Sequence, residues 1–182
     1  MIQRTRSLVE ELYLVDGKAE IVGGEIIRMS PAGGLHGIVA GIIYRSLCRH
    51  QSRYGGGIAF PDNVGFIVDL PDRESFSPDV AWHPIDESDV TEEFVEGAPT
   101  LAAEVRSPSD YTPAGEAALA AKIKDYFSAG TLVVWDVDLR SEVIRSYCST
   151  DPARPKLFPF GEVAEAEPAV SGWRFPSKRL KR

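Results

Sequence analysis

Leu101-Ala102-Ala103-Glu104-Val105 is a short apolar run with the composition of a strand, interrupted by a single carboxylate. A charged group in such a run either faces water on an edge strand or belongs to a site whose partners offset its desolvation. With alanines before it, alternation leaves both readings open. Upstream, Asp79 follows Ser77-Pro78 and opens a second strand-like run, Val80-Ala81-Trp82. Proline holds the residue before it in extended geometry. Asp79 is therefore either an ordinary turn residue ahead of a strand or a second carboxylate delivered beside the first. The acidic stretch from Asp86 to Glu96 reads as a solvated loop.

Downstream, Pro113 sits near the start of a helix that runs to about Ala129, and Gly130 is placed to end it. At about 100° per residue, Leu119, Ile123, Tyr126 and Gly130 share one face. Lys122 borders that face and Lys124 points to water. Lys122 can either reach the sheet or snorkel along the edge of the packed face.

Further out, Ser7 and Glu10 have the spacing of a capping box for a short helix at Leu8. Ala19 to Val22 and Glu25 to Met29 form a hairpin around Gly23-Gly24. From about Leu35 to Ser52, Ile38, Val39, Ile42, Ile43 and Leu47 recur at helical spacing, and Gly55-Gly56-Gly57 stops the helix. Strands are expected at Ile58 to Phe60 and Val64 to Val68, followed by a polar loop before Asp79. Leu132 to Val137 and Val143 to Tyr147 read as adjoining strands, and a last strand lies near Trp173 to Phe175. This order predicts an α+β domain, with a mixed central β-sheet flanked by helices and an N-terminal β-hairpin.

The chain of 182 residues, 43% of them apolar, is expected to form one domain over 1–182. Its N-terminal positive charge is not followed by the apolar run of a secretion signal, because Glu10 and Glu11 intervene. Apolar stretches such as Leu132 to Trp135 fall far short of the roughly 20 residues that span a bilayer, so no membrane contact and a cytoplasmic location are expected. Cys48 and Cys148 lack the spacing of a zinc or redox pair and read as small buried hydrophobes. A net charge of −7 argues against a general electrostatic grip on long duplex DNA, though not against a local metal site. Exposed sheet edges favour a homo-oligomer.

Two carboxylates from the ends of neighbouring strands suit a hard divalent cation such as Mg²⁺, and a nearby main-chain carbonyl can add a ligand. Such an ion polarises a phosphate and lowers the pKa of a bound water. A cation beside it positions the water and neutralises developing charge, a role open to Lys122.

Several fragments then line up in order: Glu20-Ile-Val-Gly-Gly-Glu-Ile-Ile-Arg-Met-Ser-Pro31, His36, Ser77-Pro-Asp-Val80, Glu104-Val-Arg-Ser-Pro-Ser-Asp110, Lys122 with Tyr126 and Gly130, and Val134-Trp135 through Asp138. Together they resemble the Uma family of predicted endonucleases, within the PD-(D/E)XK superfamily of restriction-endonuclease-like phosphodiesterases. The resemblance implies a restriction-endonuclease-like core and an endonuclease acting on DNA. It implies Mg²⁺, with Mn²⁺ as a substitute, held by Asp79, Glu104 and the Val105 carbonyl. It also implies that Glu20 and His36 lie near the site; from the residues alone these are a strand-pairing carboxylate and a polar contact at a helix start. The superfamily pattern has lysine two residues after the glutamate, where this chain has Arg106. Arginine stays protonated and is a poor substitute for a titratable lysine. The lysine role therefore passes to Lys122, as the family pattern permits, with Arg106 as a phosphate contact and Ser107 as a substrate-binding residue that supports the loop after the catalytic strand. The competing reading is a catalytically inactive nucleic-acid-associated or oligomeric scaffold that keeps the nuclease fold. A third is an unrelated α+β ligand-binding domain, favoured if Asp79 and Glu104 lie far apart.

Overall fold

The computed structural model describes residues 7–181; the reading of residues 1–6 as lacking a secretion signal lies outside them. The elements in chain order are α1 (Leu8–Leu12), β1 (Ala19–Val22), β2 (Glu25–Arg28), α2 (Gly34–Tyr54), β3 (Ile58–Phe60), β4 (Phe66–Leu70), β5 (Arg73–Phe76), β6 (Val80–His83), β7 (Val95–Glu96) and β8 (Leu101–Val105). They continue with α3 (Pro113–Ser128), β9 (Val133–Asp138), β10 (Val143–Cys148), β11 (Asp151–Pro159), β12 (Val163–Glu165) and β13 (Arg174–Pro176).

The local signals act as their chemistry dictates. Ser7 and Glu10 form the reciprocal capping box of α1. The β1–β2 turn needs positive φ at Gly23 (61°) and Gly24 (75°), which glycine adopts without steric cost. The main layer is a six-stranded sheet in the order β11-β10-β9-β8-β6-β3. Within it β8 and β9 run parallel, joined by α3, and β6 lies antiparallel to β8. A second sheet, in the order β2-β1-β5-β4-β7, carries the N-terminal hairpin. The expected α+β class with a mixed sheet and flanking helices is what the chain adopts.

Strand alternation divides the core between the two helices. Val80, Trp82, Leu101, Ala103 and Val105 pack with Val39, Ile43 and Leu47 of α2, and with Trp135, Trp173 and Phe175. Ala81, Ala102 and Val134 pack on the other side with Ile123 and Tyr126 of α3, and with Phe66 and Phe76. Trp135 is fully buried and stacks on Trp173 with centroids 4.9 Å apart. The β9–β10 turn is held by Asp138, whose Oδ1 accepts from the N–H groups of Arg140 (3.0 Å) and Ser141 (2.9 Å), and whose Oδ2 accepts from Arg145 (2.9 Å).

Some expectations are corrected. The polar loop before Asp79 contains β5, because its polar residues find internal partners: Ser75 Oγ accepts from the Ile21 N–H at 2.8 Å, and Arg73 is ion-paired. The acidic loop contributes the short strand β7, which lies parallel to β4. Ile38 is exposed, so the packed face of α2 runs through Val39, Ala40, Ile43 and Leu47. Strands β11 and β12 were not expected; β11 carries Pro152 and Pro155 at the sheet edge, where a missing N–H is tolerated. Cys48 and Cys148 are free thiols, half-buried rather than buried. Among the described residues, no helix is long and apolar enough to cross a membrane.

Two outcomes are expected from this packing. Trp135→Ala should cost about 3–5 kcal/mol in urea unfolding; a loss below about 1 kcal/mol would contradict the stacked core. Burial pushes the Asp138 carboxyl up, but the Ser141 N–H, Arg145 and Tyr111 outweigh it and hold it below its ordinary 3.8. A depressed pKa gives stability that is present above the ordinary value and lost as pH falls through the folded one. Unfolding free energy measured from about pH 6 down to about pH 2 should therefore fall less steeply in Asp138→Asn than in the wild type.

Candidate active site

The antiparallel register of β6 and β8 pairs Val80 with Ala103, and the next rung outward sets Asp79 against Glu104. Both continue the face occupied by Ala81 and Ala102, the face covered by α3. The rung is closed by a hydrogen bond from the Val105 N–H to Asp79 Oδ2 at 2.8 Å. The two acidic residues are therefore neighbours because of strand pairing.

Helix α3 brings the cation. Lys122 Nζ lies 2.8 Å from Glu104 Oε1 and 2.8 Å from Glu20 Oε1. One turn later the Tyr126 hydroxyl donates to the same Glu104 Oε1 at 2.6 Å. Glu104 Oε2 accepts no hydrogen bond among the described residues. Glu20, 2% exposed, is itself fixed by Arg73 (2.7 Å) and by the Ser77 N–H (2.8 Å). His36, in the first turn of α2, places Nε2 3.0 Å from Asp79 Oδ2. The family resemblance implied that Glu20 and His36 lie near Asp79, Glu104 and Lys122, and contacts join these five in one cluster.

Two residues fall elsewhere. The Arg106 guanidinium is buried and bonded to both oxygens of Asp136 (2.7 and 2.8 Å) and to Glu116. Its expected phosphate contact is corrected: its Nε, Nη1 and Nη2 are all engaged within the protein, where it ties β8, β9 and the start of α3 together. Ser107 donates from both its N–H (2.6 Å) and its hydroxyl (2.8 Å) to Asp110, supporting the turn at Pro108–Tyr111. Its hydrogen bonds run within that turn, and among the described residues none reaches Asp79 or Glu104.

Two other residues were missed. Lys18 Nζ lies 2.6 Å from Asp79 Oδ1 and 2.7 Å from Asp62 Oδ1. Lys18 immediately precedes β1 and stands two residues from Glu20, the spacing that puts side chains on one face of extended backbone, and that spacing was the available signal.

The electrostatics follow from this geometry. Burial pushes Asp79 up, but the His36 hydrogen bond and the Lys18 charge hold its carboxyl well below the usual range. Glu104 is raised, chiefly by burial and then by the charges of Asp79 and Glu20, against the pull of Lys122 and Lys18. Burial lowers Lys122, yet Glu104 and Glu20 outweigh it and keep the ammonium protonated. His36 is raised by its hydrogen bond to Asp79.

Among the described residues, no three His, Cys, Asp or Glu side chains converge closely enough to chelate an ion by themselves. The donor set nevertheless fits a hard divalent cation that keeps several waters. It consists of two adjacent carboxylates, one with an oxygen that accepts no hydrogen bond, in a cluster with excess negative charge. In that cluster Glu20, Asp62, Asp79, Glu104 and Asp125 face Lys18, Arg73 and Lys122, with His36 beside Asp79.

Comparison with solved structures finds a crystal structure described as a "putative nuclease belonging to DUF820" from Anabaena variabilis ATCC 29413. Its TM-score is 0.74 at 17% identity, over 94% of this chain and 96% of that one. At that identity the likeness speaks for the fold alone. Comparison with curated proteins finds no match. The model of the Uma2 family, described as "Putative restriction endonuclease", matches residues 9–178. With nearly the whole chain covered by that match, this protein belongs to the Uma2 family.

Proposed function

We propose that the protein is a divalent-metal-dependent endonuclease that hydrolyses phosphodiester bonds in DNA. The observation that carries this reading is the rung of Asp79 against Glu104, with the Lys122 ammonium 2.8 Å from Glu104. Family membership supports nuclease chemistry. Asp79, Glu104 and the Val105 carbonyl are the groups that would hold Mg²⁺, or Mn²⁺ in its place. When bound, the ion polarises the phosphate and lowers the pKa of a water.

The chain's own residues perform the remaining tasks. The N–H of Val105 and His36 fix Asp79 Oδ2, and so fix the direction of its carboxylate. Tyr126 and Lys122 hold Glu104 by Oε1. Lys122, between Glu104 and Glu20, supplies the positive charge that positions the attacking water and neutralises charge on the phosphate. Glu20 aims that ammonium through a short contact of its own. The net charge of −7 implies weak, local engagement of DNA at this site.

Glu104→Gln keeps the shape of the side chain and removes its charge. Mg²⁺-dependent nicking of plasmid DNA should fall by more than about 100-fold, with the circular dichroism spectrum unchanged. Unchanged cleavage by the folded variant would remove the proposal.

A further inference from the structure

Lys18 occupies the part of the site that the proposed metal needs, and the following argument rests on that functional reading. Both oxygens of Asp79 are engaged: Oδ2 by His36 and the Val105 N–H, and Oδ1 by Lys18 at 2.6 Å. The charge of Lys18 also acts on Glu104. A divalent ion bound to Asp79 Oδ1 at about 2.1 Å would lie against the ammonium, and two cations in that space repel strongly in a partly buried setting. One of them must leave.

The surroundings of Lys18 show how it can. Lys122 is held between Glu20 and Glu104, whose side chains are 3% and 13% exposed, so neither of its partners offers the charge a place at the surface. Lys18 instead shares its ammonium with Asp62, whose side chain is 45% exposed. Its backbone is fixed, since the Lys18 carbonyl accepts from the Met29 N–H at 2.9 Å in the hairpin. Only the flexible four-carbon stem has to move, and Asp62 can retain the ammonium near the solvent when Asp79 is surrendered.

We propose that Lys18 is a built-in competitor for the divalent cation, occupying Asp79 in the metal-free protein and withdrawing to Asp62 as the ion binds. The site is then charge-compensated in both states, and Lys18 sets the metal concentration at which it fills.

Isothermal calorimetry with MnCl₂ on metal-stripped wild type, Lys18→Met, Lys18→Arg and Asp79→Ala tests this without reference to cleavage. Lys18→Met should bind Mn²⁺ about tenfold more tightly than the wild type or better. Lys18→Arg, which keeps the charge, should stay within about threefold of the wild type. Equal or weaker binding by Lys18→Met, with wild-type binding abolished by Asp79→Ala, would overturn the role of Lys18 and leave the metal site standing. Binding that is absent from every variant, or indifferent to Asp79→Ala, would overturn the metal reading and this proposal with it. If Lys18→Met fails to fold, ¹⁵N side-chain spectra of wild-type lysines decide: adding Mg²⁺ should shift the Lys18 ammonium signal more than that of Lys122, and an unmoved Lys18 signal would overturn the proposal.

Discussion

A buried ammonium shared by two carboxylates holds the centre of this molecule together. Lys122 Nζ sits 2.8 Å from both Glu20 and Glu104, so one charge joins the N-terminal hairpin, the central sheet and helix α3. Each of these groups would be costly to bury alone, and removing one partner of such a set typically costs about 3–5 kcal/mol because the others lose their compensation. The arrangement extends outward through Arg73, which pairs with Glu20 and with Asp125 on α3. The second sheet therefore docks on the first through paired charges as well as through the stacked rings of Phe76 and Tyr126.

The same economy of charge explains the departure at Arg106. The position where the resemblance implied a lysine is taken by a guanidinium that binds Asp136 and Glu116 and braces the strand ends just beyond Glu104. Arginine suits this place because its planar fork satisfies two carboxylates at once. With that position given over to bracing, the cation beside the carboxylates comes from α3. Lys122 and Tyr126, four residues apart, reach the same oxygen of Glu104 from successive turns.

Much of the fold was legible in the sequence where local chemistry is decisive. The Gly23-Gly24 turn, the capping box at Ser7, the Gly55 stop and the limits of α3 all rest on backbone preferences that a few residues determine. Strands β5 and β11 were illegible because their residues look like loop residues until their partners are known. Arg73 and Ser75 are buried only because Glu20 and the Ile21 N–H await them, and the prolines of β11 are acceptable only at an edge. The site divides in the same way. Helical geometry put Lys122 at the border of the packed face and left open whether it reached the sheet, and Glu104 stood out as a charge among alanines. Register, which brings Asp79 opposite Glu104, is a long-range property that periodicity does not encode. Lys18 has only its two-residue spacing from Glu20 to mark it, and the folded hairpin shows where its ammonium goes.

The proposed activity requires Asp79 and Glu104 to share one cation. Anomalous diffraction from crystals soaked in Mn²⁺ tests this most directly. A single strong peak is expected within bonding distance of a carboxylate oxygen from each residue and of the Val105 carbonyl, with Lys122 still on Glu104. A soaked crystal with no peak there, and with Lys18 still on Asp79, would contradict it.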